Sequence, residues 1–147
     1  MGEGSRAAIL AGLVGKPYRD RGRGPDAFDC WGLVAHVRPR LFGGPALPDA
    51  DIGPAEVRKV ARAFTDPRHR AGWAALPVPR PFAAPDGAIV MMARGDIPHH
   101  VGLWLQPEGA MLHCCSAQRV VMDRPGHLAA AYWRITTILV PEPEAGP

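Results

Sequence analysis

Apolar positions recur at two different intervals along this chain, and the change from one to the other divides it. In the first part they fall every three or four residues, as on one face of a helix. Ile9, Leu10, Leu13 and Val14 form the first such stripe, with Ser5 placed to cap it and Gly15 to end it. A second stripe, Val34, Val37 and Leu41, follows a helix start near Cys30 that either Asp26 or Asp29 caps. Pro39 should kink or end that helix, and Gly43-Gly44-Pro45 closes the segment. Pro54 is a favoured first-turn proline for a third helix carrying Val57, Val60, Ala61 and Phe64. Between Pro67 and Pro85 five prolines break any period, which predicts a long ordered loop.

Beyond Pro85 the interval shortens to two. Gly87 to Met92, His100 to Leu105, Ala110 to Cys114, Arg119 to Met122 and Trp133 to Val140 read as short strands between turn residues. Helices first and strands afterwards predict an α+β domain with an antiparallel sheet. A single domain is expected over residues 1–140, followed by a flexible tail, 141–147. With 147 residues, 47% of them apolar, the chain can bury one core.

Charge and composition narrow the function classes. A formal charge of +3, with arginines scattered apart from Arg19-Asp20-Arg21-Gly22-Arg23 and Arg68-His69-Arg70, makes no basic stripe interleaved with aromatics. No nucleic-acid partner is therefore expected. No apolar run reaches membrane-spanning length, and Met1 to Arg6 carries no signal-peptide pattern. Synthesis in the cytoplasm without membrane insertion is the expectation. Three cysteines, two of them adjacent, make no disulfide framework, and without a C-x-x-C pair no zinc site is expected.

Two stretches carry candidate chemistry. Phe28-Asp29-Cys30-Trp31-Gly32-Leu33-Val34 sets a cysteine at a helix start, where unpaired N–H groups and the helix dipole favour a thiolate. Pro98-His99-His100-Val101-Gly102-Leu103-Trp104 sets a histidine at a strand start. Alternation groups His100 with Gly102 and Trp104, and His99 with the core-like Val101, Leu103 and Leu105. His99 should thus be the solvent-exposed end of the core face, and Gly102 leaves room beside the imidazole for a substrate or another backbone. His113, on a strand next to His100, is suited to bond the far nitrogen of its ring and fix the tautomer. Plainer readings stand beside these: Cys30 as a small buried hydrophobe, and His100 and His113 as ordinary strand histidines. Cys114 and Cys115 read as core residues, and His69 and His127 as surface ones. His36 lies on another helical face from Cys30. A metal set of His99, His100, His113 and Cys114 has no recognised ligand spacing.

With these residues in place the chain resembles the NlpC/P60 cysteine peptidases, in particular the short, leaderless branch from phage and gene-transfer-agent tail clusters. The matching pieces are Gly15-Lys16-Pro17-Tyr18, Gly22 to Pro25, Phe28 to Val34, Pro85 to Val90, His100 to Trp104 and Leu112-His113. The resemblance implies a papain-like α+β fold, its nucleophile helix packed on a small antiparallel sheet, that needs no cofactor. It implies hydrolysis of peptide bonds in the stem peptides of bacterial peptidoglycan, with phage-like tail proteins as partners and the cell wall as the place of action. Carried over by position, Cys30 is the nucleophile, His100 the base and His113 the orienting third member. Tyr18 lines the site and aids the oxyanion, Asp29 holds the free amine of the substrate, and Trp31 lies beside the nucleophile in the substrate pocket. Trp31 stands where many members have a small serine, and Arg21-Gly22-Arg23-Gly24 replaces a plainer glycine stretch. Two other roles fit the same residues: a structural tail-tip or tail-assembly part that keeps the fold, and a Cys-His wall amidase or acyltransferase.

Overall fold

The computed structural model describes residues 3–44, 72–95, 98–115 and 118–142. The helix expected from Pro54 falls outside these residues. Helix α1 spans Glu3–Leu13. It buries Leu10 and Leu13, whereas Val14 lies one residue past the helix end and is exposed. Ser5 lies within the first turn rather than capping it.

Helix α2 spans Cys30–Phe42, and of the two candidate caps Asp29 is the one used. Its backbone is extended, and its side chain accepts the Gly32 N–H at 2.7 Å. The helix runs on past Pro39 to Phe42 and stops at Gly43, whose φ of 66° turns the chain away. Arg38 holds that end: buried between the rings of Phe42 and Trp73, it donates to the carbonyls of Gly87 and Gly43.

Six strands follow among the described residues: β1 (Trp73–Leu76), β2 (Ile89–Ala93), β3 (Pro98–Leu105), β4 (Ala110–Cys114), β5 (Val120–Asp123) and β6 (Arg134–Pro141). A short helix, α3 (Pro125–Ala130), lies between the last two. They form one sheet in the order β1-β6-β2-β3-β4-β5, and each neighbouring pair is antiparallel. The α+β expectation and its antiparallel sheet are therefore met. Three elements differ from the sequence reading, α3 among them, since it lies where turn residues were expected. Strand β1 lies inside the proline-rich stretch expected to be loop, held by pairing with the end of β6. That pairing also carries Pro141 into the sheet, and the Glu142 N–H donates to the Gly72 carbonyl.

The sheet is covered on both faces, which is why β2 and β4 are buried at every position. On one face Leu33, Val34 and Val37 of α2 and the apolar side of α1 pack on Val101, Leu103, Leu105 and Leu112. On the other, Leu128 of α3 and Trp133 join Val90, Met92, Trp104 and Met111. Each fully buried Leu, Val or Met adds about 1.5–3 kcal/mol. Gly102 leaves no room for a substrate, because a Cβ there would meet the Met111 side chain at 2.8 Å and the Leu112 carbonyl at 3.1 Å. Of the two uses expected for that space, the neighbouring strand takes it.

Candidate active site

The loop before α2 is built to hold Cys30 in one place. The Phe28 N–H donates to the Pro17 carbonyl, and the Arg19 N–H to the Phe28 carbonyl. The Asp29 N–H donates to the Gly22 carbonyl. Lys16 and Gly15 in turn pair with the Val120 backbone of β5. Gly22 and Gly32 allow the closest approach: a Cβ on Gly32 would lie 1.9 Å from the Gly22 oxygen. The glycine-rich piece ahead of the nucleophile is thus a steric requirement of the loop meeting the helix.

The first-turn N–H groups of α2 divide between two acceptors. Gly32 donates to the Asp29 carboxylate, whereas the Trp31 N–H faces the Cys30 sulfur. The sulfur also faces the N–H of Val101, the residue after His100. Strand β3 frees that group. Its pairing with β4 begins only at Leu103, and alternation turns the Val101 N–H to that side, since the Trp104 N–H faces the segment before β2. Cys114 of β4 meanwhile turns its thiol to the Phe28 carbonyl at 3.4 Å. The nucleophile loop therefore sits where β3 and β4 part.

His100 and His113 are joined, as expected from adjacent strands. His100 Nε2 lies 2.8 Å from His113 Nδ1, and the rings meet edge to face. A residue the sequence reading missed continues the line: Asp123 of β5 lies 2.8 Å from His113 Nε2. The register pairs Val121 with His113 and Met111 with Asp123, so Asp123 shares the His113 face one step along. Read from the chain alone, Met122-Asp123-Arg124-Pro125 was a strand end and turn, and only the register reveals the contact. On its face His100 stacks against Trp133 (centroids 4.4 Å apart, planes 19°), and the Arg94 guanidinium lies over that indole at 3.9 Å. His99 also packs on Trp133 and is half-buried.

Burial sets the proton affinities. Cys30 is 6% exposed and His100 3%. The Cys30 thiol is pushed up to about 12, first by burial and then by the Asp29 carboxylate, against the lowering effect of the Val101 and Trp31 N–H groups. This corrects the expectation of a lowered thiol: the helix start contributes as expected, but desolvation outweighs it. Burial likewise pulls His100 well below the usual histidine value, helped by His113, His99 and Arg94. His113 is lowered by burial in spite of Asp123. The resting state is thus a protonated thiol at the start of α2 and neutral imidazoles on β3 and β4. Among the described residues the hydrogen bonds of the histidine line end at His100 and do not reach the sulfur.

The remaining expected site residues divide. Tyr18 is half-buried and its backbone bridges to Phe28, two residues before Cys30, and burial followed by nearby anionic groups raises its phenol. It lines a groove of about 680 Å³ with Val14, Pro17, Gln118, Arg119 and Val121, which includes neither Cys30 nor His100. Asp29 is 1% exposed, and its carboxylate is already engaged by the Gly32 N–H and by Arg23 at 2.9 Å from both oxygens. It acts here as a helix cap and counter-ion, and a substrate amine would have to displace Arg23. Trp31 is 8% exposed and packs within the helix–sheet core. His36 packs against Phe28, Cys114 is fully buried, and His127 is exposed. His69 lies outside the described residues.

Solved structures share this architecture. The NlpC/p60 domain of peptidoglycan hydrolase SagA matches 95% of this chain and 99% of its own, with a TM-score of 0.60 and 18% identity. NlpC1 and NlpC2 from Trichomonas vaginalis each match 90% of this chain at a TM-score of 0.55, with 19% and 20% identity. This chain spans 41% and 44% of those two. No protein-family model and no curated protein sequence matches. The α+β fold with its antiparallel sheet is that of NlpC/P60 domains.

Proposed function

We propose that this protein is a cysteine peptidase that hydrolyses peptide bonds in bacterial cell-wall stem peptides. The observation that carries the reading is the His100–His113–Asp123 line ending at the start of β3, next to the Val101 N–H that faces the Cys30 sulfur. The fold it shares with the NlpC/p60 domain of a peptidoglycan hydrolase supports the choice of substrate.

In this reading His100 takes the thiol proton as the sulfur attacks the amide carbonyl, so thiolate forms only during the reaction. A resting ion pair is disfavoured by the same burial that raises the thiol and lowers the imidazole. The Cys30 N–H at the helix start and the Tyr18 hydroxyl receive the oxyanion. The imidazolium then protonates the leaving amine and, once neutral, activates the water that releases the acyl group. Digestion of purified peptidoglycan with mass spectrometry of the fragments tests this. Cuts within the stem, lost in Cys30→Ala, are expected; release of the lactyl-linked amine would make it an amidase, and equal cutting by Cys30→Ala would end the proposal.

A second reading has one observation in its favour. A cysteine that is 6% exposed, with its thiol pushed up to about 12, suits a structural part, such as a tail-tip component that has kept the fold. Slow alkylation of Cys30 in the resting protein follows from both readings, so turnover on peptidoglycan is what separates them.

A further inference from the structure

Hydrogen-bond logic along the buried line reaches further than the three residues of the proposed mechanism, and it rests on that reading of Cys30 and His100. We infer that Asp123 is a positioning residue: it fixes the tautomers of both histidines so that Nδ1 of His100 is the bare ring nitrogen left to receive the Cys30 proton.

The argument starts at the carboxylate, which can only accept. Its oxygen lies 2.8 Å from His113 Nε2, so that nitrogen carries the proton. A neutral imidazole carries one, and His113 Nδ1 is therefore an acceptor. It lies 2.8 Å from His100 Nε2, which must then be the donor. His100 is left with Nδ1 unprotonated. Each bond in the line determines the next, and the determination begins at Asp123.

The opposite arrangement keeps the central hydrogen bond but reverses it. His113 Nδ1–H would donate to His100 Nε2, and the His100 proton would sit on Nδ1, where it blocks the thiol. Two bare acceptors would also face each other at Asp123, an arrangement the carboxylate forbids. His113 is fully buried and Asp123 is 23% exposed, so the carboxylate stands between the line and solvent. The charged and titratable groups facing these rings are His113, His99 and Arg94 for His100, and Asp123 and Arg94 for His113. Asp123 is the anion among them. Of these groups, among the described residues, it is the one that favours the positive charge that develops when His100 takes a proton.

Ring-nitrogen NMR of histidine-labelled protein tests this without substrate. At neutral pH the intact protein is expected to carry the proton on Nε2 in both His100 and His113. In Asp123→Leu, which keeps side-chain bulk and removes the acceptor, the His100 proton should move to Nδ1 or be shared between the two nitrogens. Hydrolysis by that variant should fall about 10- to 100-fold in kcat, with KM nearly unchanged. Protonated Nδ1 on His100 in the intact protein would overturn the inference, as would unaltered His100 signals in folded Asp123→Leu. The first of these needs no variant and stands even if Asp123→Leu does not fold. Should the tautomers be as stated while peptidoglycan stays uncut, the peptidase reading fails and the tautomer assignment survives.

Discussion

Replacing Gly32 by alanine puts the loop–helix junction under direct test. In most helix interiors this change stabilises by about 1 kcal/mol, because glycine is the poorer helix former. At Gly32 the new Cβ would lie 1.9 Å from the Gly22 oxygen and 2.9 Å from its carbonyl carbon. An unstrained carbon–oxygen contact is about 3.3–3.6 Å, so loop and helix would have to part by roughly 1.4 Å. Both sides are backbone, and no rotamer change relieves the clash. Separation strains two bonds: Asp29 N–H to the Gly22 carbonyl at 3.1 Å, and Gly32 N–H to the Asp29 carboxylate at 2.7 Å. Losing the cap costs about 0.5–2 kcal/mol and overpacking about 1–3 kcal/mol. After the propensity gain, a net loss of about 0.5–4 kcal/mol is expected. Gly12 in α1 is the matched control, since nothing lies within 4 Å of a Cβ there and Gly12→Ala should gain up to about 1 kcal/mol. Urea denaturation of both variants reads the difference, with Gly32→Ala moving the midpoint down and Gly12→Ala moving it up. A Gly32→Ala protein as stable as Gly12→Ala would refute the packing described for the nucleophile loop.

Other expectations follow from the same contacts. In the resting protein the Cys30 thiol lies at about 12 against an ordinary 9.0, so its thiolate population at neutral pH is about a thousandfold lower than for a free thiol. Ultraviolet thiolate absorbance assigned to Cys30 by comparison with Cys30→Ala should therefore stay flat through neutral pH, and a neutral-pH titration would contradict this. His100 and His113 bind protons less readily folded than unfolded. Below about pH 6.5 the unfolded chain thus holds more protons, and stability should fall on acidification until the folded values are passed. Asp29, raised by burial, acts in the opposite sense near the carboxylate range. Thermal unfolding across pH, with and without the two histidines, measures the first effect. Arg38→Met should destabilise by about 1–3 kcal/mol by leaving the Gly43 and Gly87 carbonyls without their donor, read from the urea midpoint. Tyr18→Phe should lower kcat by about 10²- to 10³-fold if its hydroxyl serves the oxyanion, without changing the bond cut.

The parts of the fold legible in the sequence are those fixed by local chemistry. Helix α2 was visible in its capping aspartate and apolar spacing, and β4 in its short β-prone run with matching ends. Strand β1 was not, because Trp-Ala-Ala-Leu has no alternation and becomes a strand only by pairing with β6, far along the chain. The same division runs through the site. His100 and His113 were found because each lies on a strand whose face is readable, and adjacency of those strands joins them. Asp123 depends on the β4–β5 register, and the Trp133 stack on a chain reversal after α3, neither of which leaves a local signal. The raised thiol was missed for a similar reason. A helix start is local and lowers the value, whereas the burial that outweighs it is tertiary.

Rapid-quench mass spectrometry of the protein mixed with a stem peptide tests the central claim most directly. The account predicts a transient acyl adduct on the fragment containing Cys30, absent from Cys30→Ala and strongly reduced in His100→Ala. Stem-peptide cleavage that proceeds in Cys30→Ala with no adduct would contradict it.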